Sequence, residues 1–164
     1  MKRFFDTSVL IPTFLEDHEH HESSLRAFLK ADTRSACCAA HSLAEVYATL
    51  TRLPGRHRLS GEQVLLFLEN IRERLALVTL NQEEYFAAVR QAAETGIVGG
   101  AVYDALLAHC ALKSHAQTIF TWNVKHFQQM GPEIAHRAAG WRRHRCLYRG
   151  WRRHCLLCLR PSAY

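Results

Sequence analysis

Short strand-like runs alternate with longer helix-like stretches along most of this chain, and that alternation restricts the fold more than any single residue does. Phe4-Phe5, Thr33 to Ala39 (with Ala36-Cys37-Cys38 at its apolar centre), Leu75 to Leu80 and Gln117 to Thr121 read as strands. Between them lie helical patterns: Val9 to Leu15, with Pro12 in its first turn; a stretch carrying Leu25, Phe28 and Leu29; and one from Ser42 carrying Leu43, Val46, Tyr47 and Leu50. Turn chemistry at Arg52 to Arg56 precedes a helix opened by Ser60-Gly61-Glu62, with Val64, Leu65, Phe67, Leu68 and Ile71 on an apolar stripe. Asn81 then caps Gln82 to Glu94, Gly96 to Gly100 form a flexible link, and Val102 to Ser114 is apolar on nearly every side, the mark of a buried helix. Glu133 to His136 adds a short fifth strand after the turn at Gly131-Pro132. Strands joined through helices by short links predict an α/β fold, with one parallel sheet of four to five strands and helices on both faces.

The 164 residues fit one domain with a sizeable core, and the 48% hydrophobic content is that of a globular chain. A net charge of +6 invites a nucleic-acid reading until it is divided along the sequence. Residues 141–164 hold seven arginines with no acid and no lysine, so residues 1–140 carry about −1. Basicity therefore belongs to the tail and says little about the domain. No leader-like apolar segment follows Lys2 and Arg3, and no run approaches a membrane span, so a cytoplasmic location without membrane contact is expected. Cys37, Cys38 and Cys110 lie in apolar segments and read as small buried hydrophobes in a reducing compartment.

Three acids occupy places awkward for a charge. Asp6 ends the first strand, Glu45 lies early in the helix after the second, and Asp104 interrupts the apolar helix before the fourth. A doubly wound sheet brings those places to a single crevice, and a divalent cation with oxygen ligands is one reason to group carboxylates there. Each acid has a plainer reading as well. Asp6 is a favoured helix cap, Glu45 stands three residues after Ser42 at capping-box spacing, and Asp104 near a helix start suits the dipole.

Taken together the segments resemble a known family. Phe5-Asp6-Thr7-Ser8-Val9-Leu10-Ile11, Ser42-Leu43-Ala44-Glu45-Val46, Tyr103-Asp104-Ala105-Leu106-Leu107-Ala108 and Ile119-Phe120-Thr121-Trp122-Asn123-Val124-Lys125-His126-Phe127 are similar, in order and spacing, to the PIN-domain ribonucleases, above all the VapC-type toxins of toxin–antitoxin systems. The resemblance covers residues 1 to about 136 and implies a single PIN-like domain, residues 1–140. It also implies a metal-dependent endoribonuclease in which Asp6, Glu45 and Asp104 hold Mg2+ or Mn2+, with Thr7, Ser8 and Thr121 as supporting hydroxyls. Where the family often has a further acid, this chain has Asn123 and His126, so one well-held metal is expected, and Asn123 can coordinate or orient water only through a neutral amide. Water attack on a phosphodiester then leaves a 3′-hydroxyl and a 5′-phosphate. A homodimer and an antitoxin whose C-terminal segment occupies the active-site groove are further implications. The alternatives are a catalytically weak RNA-binding or scaffold PIN domain, motivated by Asn123 and His126, and a DNA-directed nuclease of the same chemistry.

Other chemistries fit less well. Asp6-Thr7-Ser8 lacks the second aspartate of haloacid-dehalogenase-like phosphatases, and Gly96 to Gly100 lacks the Lys-Ser/Thr ending of a P-loop. The run Asp17-His18-Glu19-His20-His21-Glu22 reads as a solvated helix start, and His109 and His115 read as satisfied structural histidines. In the tail, Trp141-Arg142-Arg143-His144 returns as Trp151-Arg152-Arg153-His154. That repeat, with Cys155 and Cys158, raises zinc and RNA binding. The reading preferred here is a frameshift or read-through extension, partly disordered or packed adventitiously.

Overall fold

The computed structural model describes residues 2–142. Its strands are β1 (Arg3–Phe5), β2 (Ala36–Ala39), β3 (Ala76–Val78) and β4 (Thr118–Phe120), all parallel, in the order β3-β2-β1-β4. Phe5 lies opposite Cys38 on one side and Phe120 on the other. Strand side chains alternate between faces, so Phe5, Cys38 and Phe120 enter one core cluster while Phe4, Cys37 and Ile119 enter another.

Helices α1 (Thr7–Thr13), α2 (His21–Leu29), α3 (His41–Thr51) and α4 (Gly61–Arg74) cover the first face with Val9, Leu10, Phe28, Val46, Leu50, Val64 and Ile71. Phe5 meets Phe28 and Phe120 edge-on there, at centroid distances of 6.4 and 5.1 Å. The second face is covered by α6 (Ala101–Lys113), α7 (Val124–Gln128) and α8 (Pro132–Arg142) through Leu107, Ala108, Ala111, Phe127, Ile134 and Ala138. Helix α5 (Gln82–Glu94) packs outside α6. Buried Ala105, Leu106, Leu107, Ala108, Cys110 and Ala111 explain why α6 has no polar stripe.

Chain order and sheet order reverse between β1 and β4. From β1 the chain crosses to β2 and β3 on one side, then returns to place β4 on the other. The carboxyl ends of β1 and β4 therefore flank the crevice where doubly wound sheets keep their sites.

Several local expectations are corrected. Helix α1 starts at Thr7 rather than Val9, so Pro12 lies in its last turn rather than its first. Strand β2 starts at Ala36, because the Asp32 carboxylate accepts from the amides of Arg34 and Ser35, at 2.9 and 2.8 Å, and curls that segment into a turn. Leu65 is exposed rather than part of the buried stripe of α4. Glu133 to His136 is helical, not a fifth strand: Gly131, at φ 103°, turns the chain, Pro132 suits a first helical turn, and Ile134 and Ala138 fall one turn apart on the buried side. The predicted caps form in full. Ser60 with Gln63 and Asn81 with Glu84 make reciprocal capping boxes at the starts of α4 and α5.

Cys37, Cys38 and Cys110 are buried free thiols. Burial pushes all three above the ordinary thiol range, Cys110 to about 11, so they are unreactive as thiolates. Helix α8 extends through Trp141 and Arg142, and residues 143–164, where most of the predicted tail falls, lie outside the described residues.

Candidate active site

Asp6 follows the last residue of β1, and its amide donates to the carbonyl of Phe120 at the end of β4. It occupies the N-cap position of α1, where its carbonyl receives the amides of Val9 and Leu10, but its side chain does not cap the helix. The carboxylate instead accepts from Ser8 Oγ at 2.5 Å and Thr121 Oγ1 at 2.7 Å, both on Oδ2. The capping interpretation of Asp6 therefore fails, although its backbone sits at a cap.

These hydroxyls belong to a chain with a defined direction. The amide of Trp122 donates to Ser8 Oγ at 2.9 Å, and the amide of Asn123 donates to Thr121 Oγ1 at 2.9 Å. A hydroxyl has one proton. With both protons given to Asp6, the 3.3 Å contact between Ser8 Oγ and Thr121 Oγ1 contains none, and the two oxygens are held together by the carboxylate they share. The loop after β4 thus fixes Asp6 from outside, and leaves Oδ1 clear of both bonds.

Glu45 is one helical turn into α3, whose N-cap is Ala40, so Ser42 lies inside the helix and the proposed capping box does not exist. Glu45 Oε2 accepts from Thr7 Oγ1 at 2.6 Å. Ser42 is fully buried, and its hydroxyl has no hydrogen-bond partner among the described residues. Asp104 stands in the first turn of α6, as the dipole favours, and its Oδ2 pairs with His126 Nδ1 of α7 at 2.7 Å.

Asp6 is 1% exposed, and its pKa is raised to about 7. Burial is the largest cause and the charge of Asp104 the second, with Glu45 adding a smaller push; the Ser8 and Thr121 hydrogen bonds oppose them. The structure therefore brings Asp6, Glu45 and Asp104 into one electrostatic neighbourhood, with Thr7, Ser8 and Thr121 on their oxygens. Asn123 contributes its backbone amide, while its side chain is exposed and makes no cap bond. The sequence marked His126 only as an acid's absence. In space it is the partner of Asp104, a role that 22 residues of separation hid.

Oxygen-only donors and a carboxyl raised first by burial and then by its neighbouring acids suit a hard divalent cation, whose charge offsets both. Among the described residues, however, no three His, Cys, Asp or Glu side chains are gathered into a finished metal cage. Thr7 and His126 engage two of the acids instead. The fit is one of donor chemistry: Thr7 takes one oxygen of Glu45 and His126 one oxygen of Asp104.

The histidine-rich run is engaged elsewhere. His21 Nδ1 meets the carbonyl of Pro12, His18 Nδ1 accepts from the amide of His20, and His20 stacks on Trp122 at 3.8 Å. His109 contacts Gln91 at 3.0 Å, consistent with a satisfied structural role.

A four-stranded parallel sheet in this order, with Asp6 at its carboxyl edge and Asp104 and Glu45 in its electrostatic neighbourhood, defines a class. Residues 3–131 match the PIN domain, and the chain belongs to that family. Within it the chain is of VapC type. It is 36% identical over 114 residues to ribonuclease VapC40 of Mycobacterium tuberculosis, spanning 70% of this chain and 81% of that one. Ribonuclease VapC27 of the same organism is 36% identical over 113 residues, spanning 68% and 78%. Two solved structures share the fold. VapC20 of M. tuberculosis, described as a sarcin-ricin loop cleaving toxin, superposes with a TM-score of 0.63 at 13% identity over 76% of this chain and 92% of its own. VapBC2 of Rickettsia felis, bound to a DNA fragment from its promoter, gives 0.56 at 20% identity over 81% and 95%.

Proposed function

We propose that this chain is the toxin of a toxin–antitoxin pair, an endoribonuclease that hydrolyses RNA phosphodiesters with Mg2+ or Mn2+ held by Asp6, Glu45 and Asp104. One observation carries the reading: a buried carboxylate at the switch point of the sheet, fixed by two hydroxyls and crowded by two further acids. The bound cation supplies Lewis acidity for water attack and offsets charge on the phosphate oxygens. The Ser8 and Thr121 hydrogen bonds favour the ionised form of Asp6 and fix its Oδ2, leaving Oδ1 clear of both. Thr7 would steady Glu45 and His126 would orient Asp104 as they hold the cation.

The relatives' names support RNA as substrate, and the VapBC neighbour supports an antitoxin partner. A homodimer is part of the same proposal. Leu65, Leu66 and Phe86, all more than half exposed, offer apolar surface for such contacts. A cytoplasmic location belongs to the same proposal; among the described residues no helix is long and apolar enough to cross a membrane.

The test is incubation of purified, antitoxin-free protein with structured RNAs and DNAs in Mn2+, Mg2+ or EDTA. RNA cleavage is expected in either metal, none in EDTA, and a loss of at least 100-fold in Asp6→Asn and Asp104→Asn. The pairing of Asp104 with His126 favours one second reading, a scaffold that binds RNA without cutting it. Retained RNA binding with no cleavage in any metal selects that reading, and cleavage of DNA alone contradicts both.

A further inference from the structure

His41 opens α3 four residues before Glu45, and so lies on the same face one turn nearer the helix start. Tyr103 immediately precedes Asp104 on α6. Their rings stack, with centroids 5.2 Å apart and planes 22° from parallel. Two of the three acids thus have an aromatic ring on their own helix, and the rings meet. Tyr103 is nonetheless 45% exposed with one face against His41, and its hydroxyl has no hydrogen bond to another described residue. An exposed, pre-stacked ring beside a carboxylate cluster gains little from the core. It does provide a flat surface whose orientation is already fixed.

We propose that His41 and Tyr103 form a stacking platform for an unpaired nucleobase of the RNA, from a nucleotide adjoining the scissile phosphate. The inference rests on the ribonuclease reading above and assigns a subsite to it. A base that stacks there has left its helix, so the platform selects single-stranded or loop nucleotides. Stacking on an aromatic ring tolerates any base. The platform therefore sets where the strand lies across the acids, not which base is read. His41 backs Tyr103 and reduces the ordering needed when the base arrives.

The test uses stem-loop RNAs carrying 2-aminopurine at successive loop positions, whose fluorescence falls when the base stacks. Wild type, Tyr103→Ala, Tyr103→Phe and His41→Ala are compared by that quenching in EDTA, and by KM and kcat in Mn2+. One or two positions beside the cut are expected to be quenched by wild type and Tyr103→Phe and not by Tyr103→Ala. KM is expected to rise about 5- to 100-fold in Tyr103→Ala with kcat within about twofold, and Tyr103→Phe to restore it. His41→Ala is expected to show a smaller rise in KM. Quenching that survives Tyr103→Ala, or a loss confined to kcat, overturns the platform. Cleavage by wild type with no quenched position also overturns it while sparing the ribonuclease reading. Quenching without cleavage does the reverse. A Tyr103→Ala effect on antitoxin binding with RNA binding unchanged assigns the surface to the protein partner and contradicts the proposal.

Discussion

Asp6 is costly to ionise where it stands, and this gives the metal-free protein a distinctive pH response. With its pKa raised from 3.8 to about 7, the folded state keeps a proton between about pH 4 and pH 7 that the unfolded chain has released. Stability should therefore fall as pH rises through that window, by at most about 1.4 kcal/mol per pH unit, and level off above it. Urea denaturation in EDTA at intervals from pH 4.5 to 8 measures this, and the difference between wild type and Asp6→Asn isolates the Asp6 contribution. A difference that does not change across the window contradicts the assignment. Asp6, Glu45 and Asp104 stood out because each puts a charge where its element should be apolar, and Thr7 and Ser8 because they follow Asp6 at the strand end, whereas Thr121 came only through the family resemblance. The direction of the hydroxyl chain was not legible. It depends on the amides of Trp122 and Asn123 meeting Ser8 and Thr121 across the β1–β4 seam, and amides carry no sequence signal. His126 was visible only as a departure from a pattern, since nothing local ties it to Asp104.

At the level of elements, the capping boxes are the clearest translation of sequence into structure. Asn81 Oδ1 accepts from the Glu84 amide at 2.9 Å, while Glu84 reaches back to the Asn81 amide at 2.7 Å and also meets Lys113 of α6 at 2.5 Å. Asn81→Ala should cost about 1 kcal/mol of stability, read as a lowered urea midpoint, with RNA cleavage unchanged because the capped end of α5 meets Lys113, at the opposite end of α6 from Asp104. A larger loss, or a loss of activity, means that this cap does more than start a helix. Where local reading failed, a competing signal explains the failure. Glu133 to His136 lacks the length to separate strand from helix, and the deciding contacts of Ile134 and Ala138 with the second core face are tertiary. Ser42 matched a capping box in spacing, but Ala40 became the N-cap because the chain turns directly out of β2, and a spacing cannot show where a helix begins.

For the whole molecule, the order β3-β2-β1-β4 is what converts distant residues into a site, because it places the ends of β1 and β4 side by side. Alternation of strands and helices predicted the parallel sheet and its two covered faces, but not which strands neighbour each other, since several orders satisfy the same pattern. Among the described residues, both core clusters are built from positions 4 to 138. We propose that residues 141–164 add to the domain without completing it. A chain ending at Gly140 should keep its thermal midpoint within a few degrees and retain RNA cleavage, and loss of either makes the tail part of the enzyme.

The three-carboxylate site is tested most directly by Mn2+ binding, followed by titration calorimetry and by the paramagnetic resonance of free Mn2+, on wild type, Asp6→Asn, Glu45→Gln and Asp104→Asn. Saturable binding by wild type that tightens as pH rises toward 7, and that is weakened at least tenfold in each variant while each stays folded, is the result predicted. Wild-type protein that takes up no Mn2+, or variants that bind it as tightly as wild type, would show that these acids are grouped for some other purpose.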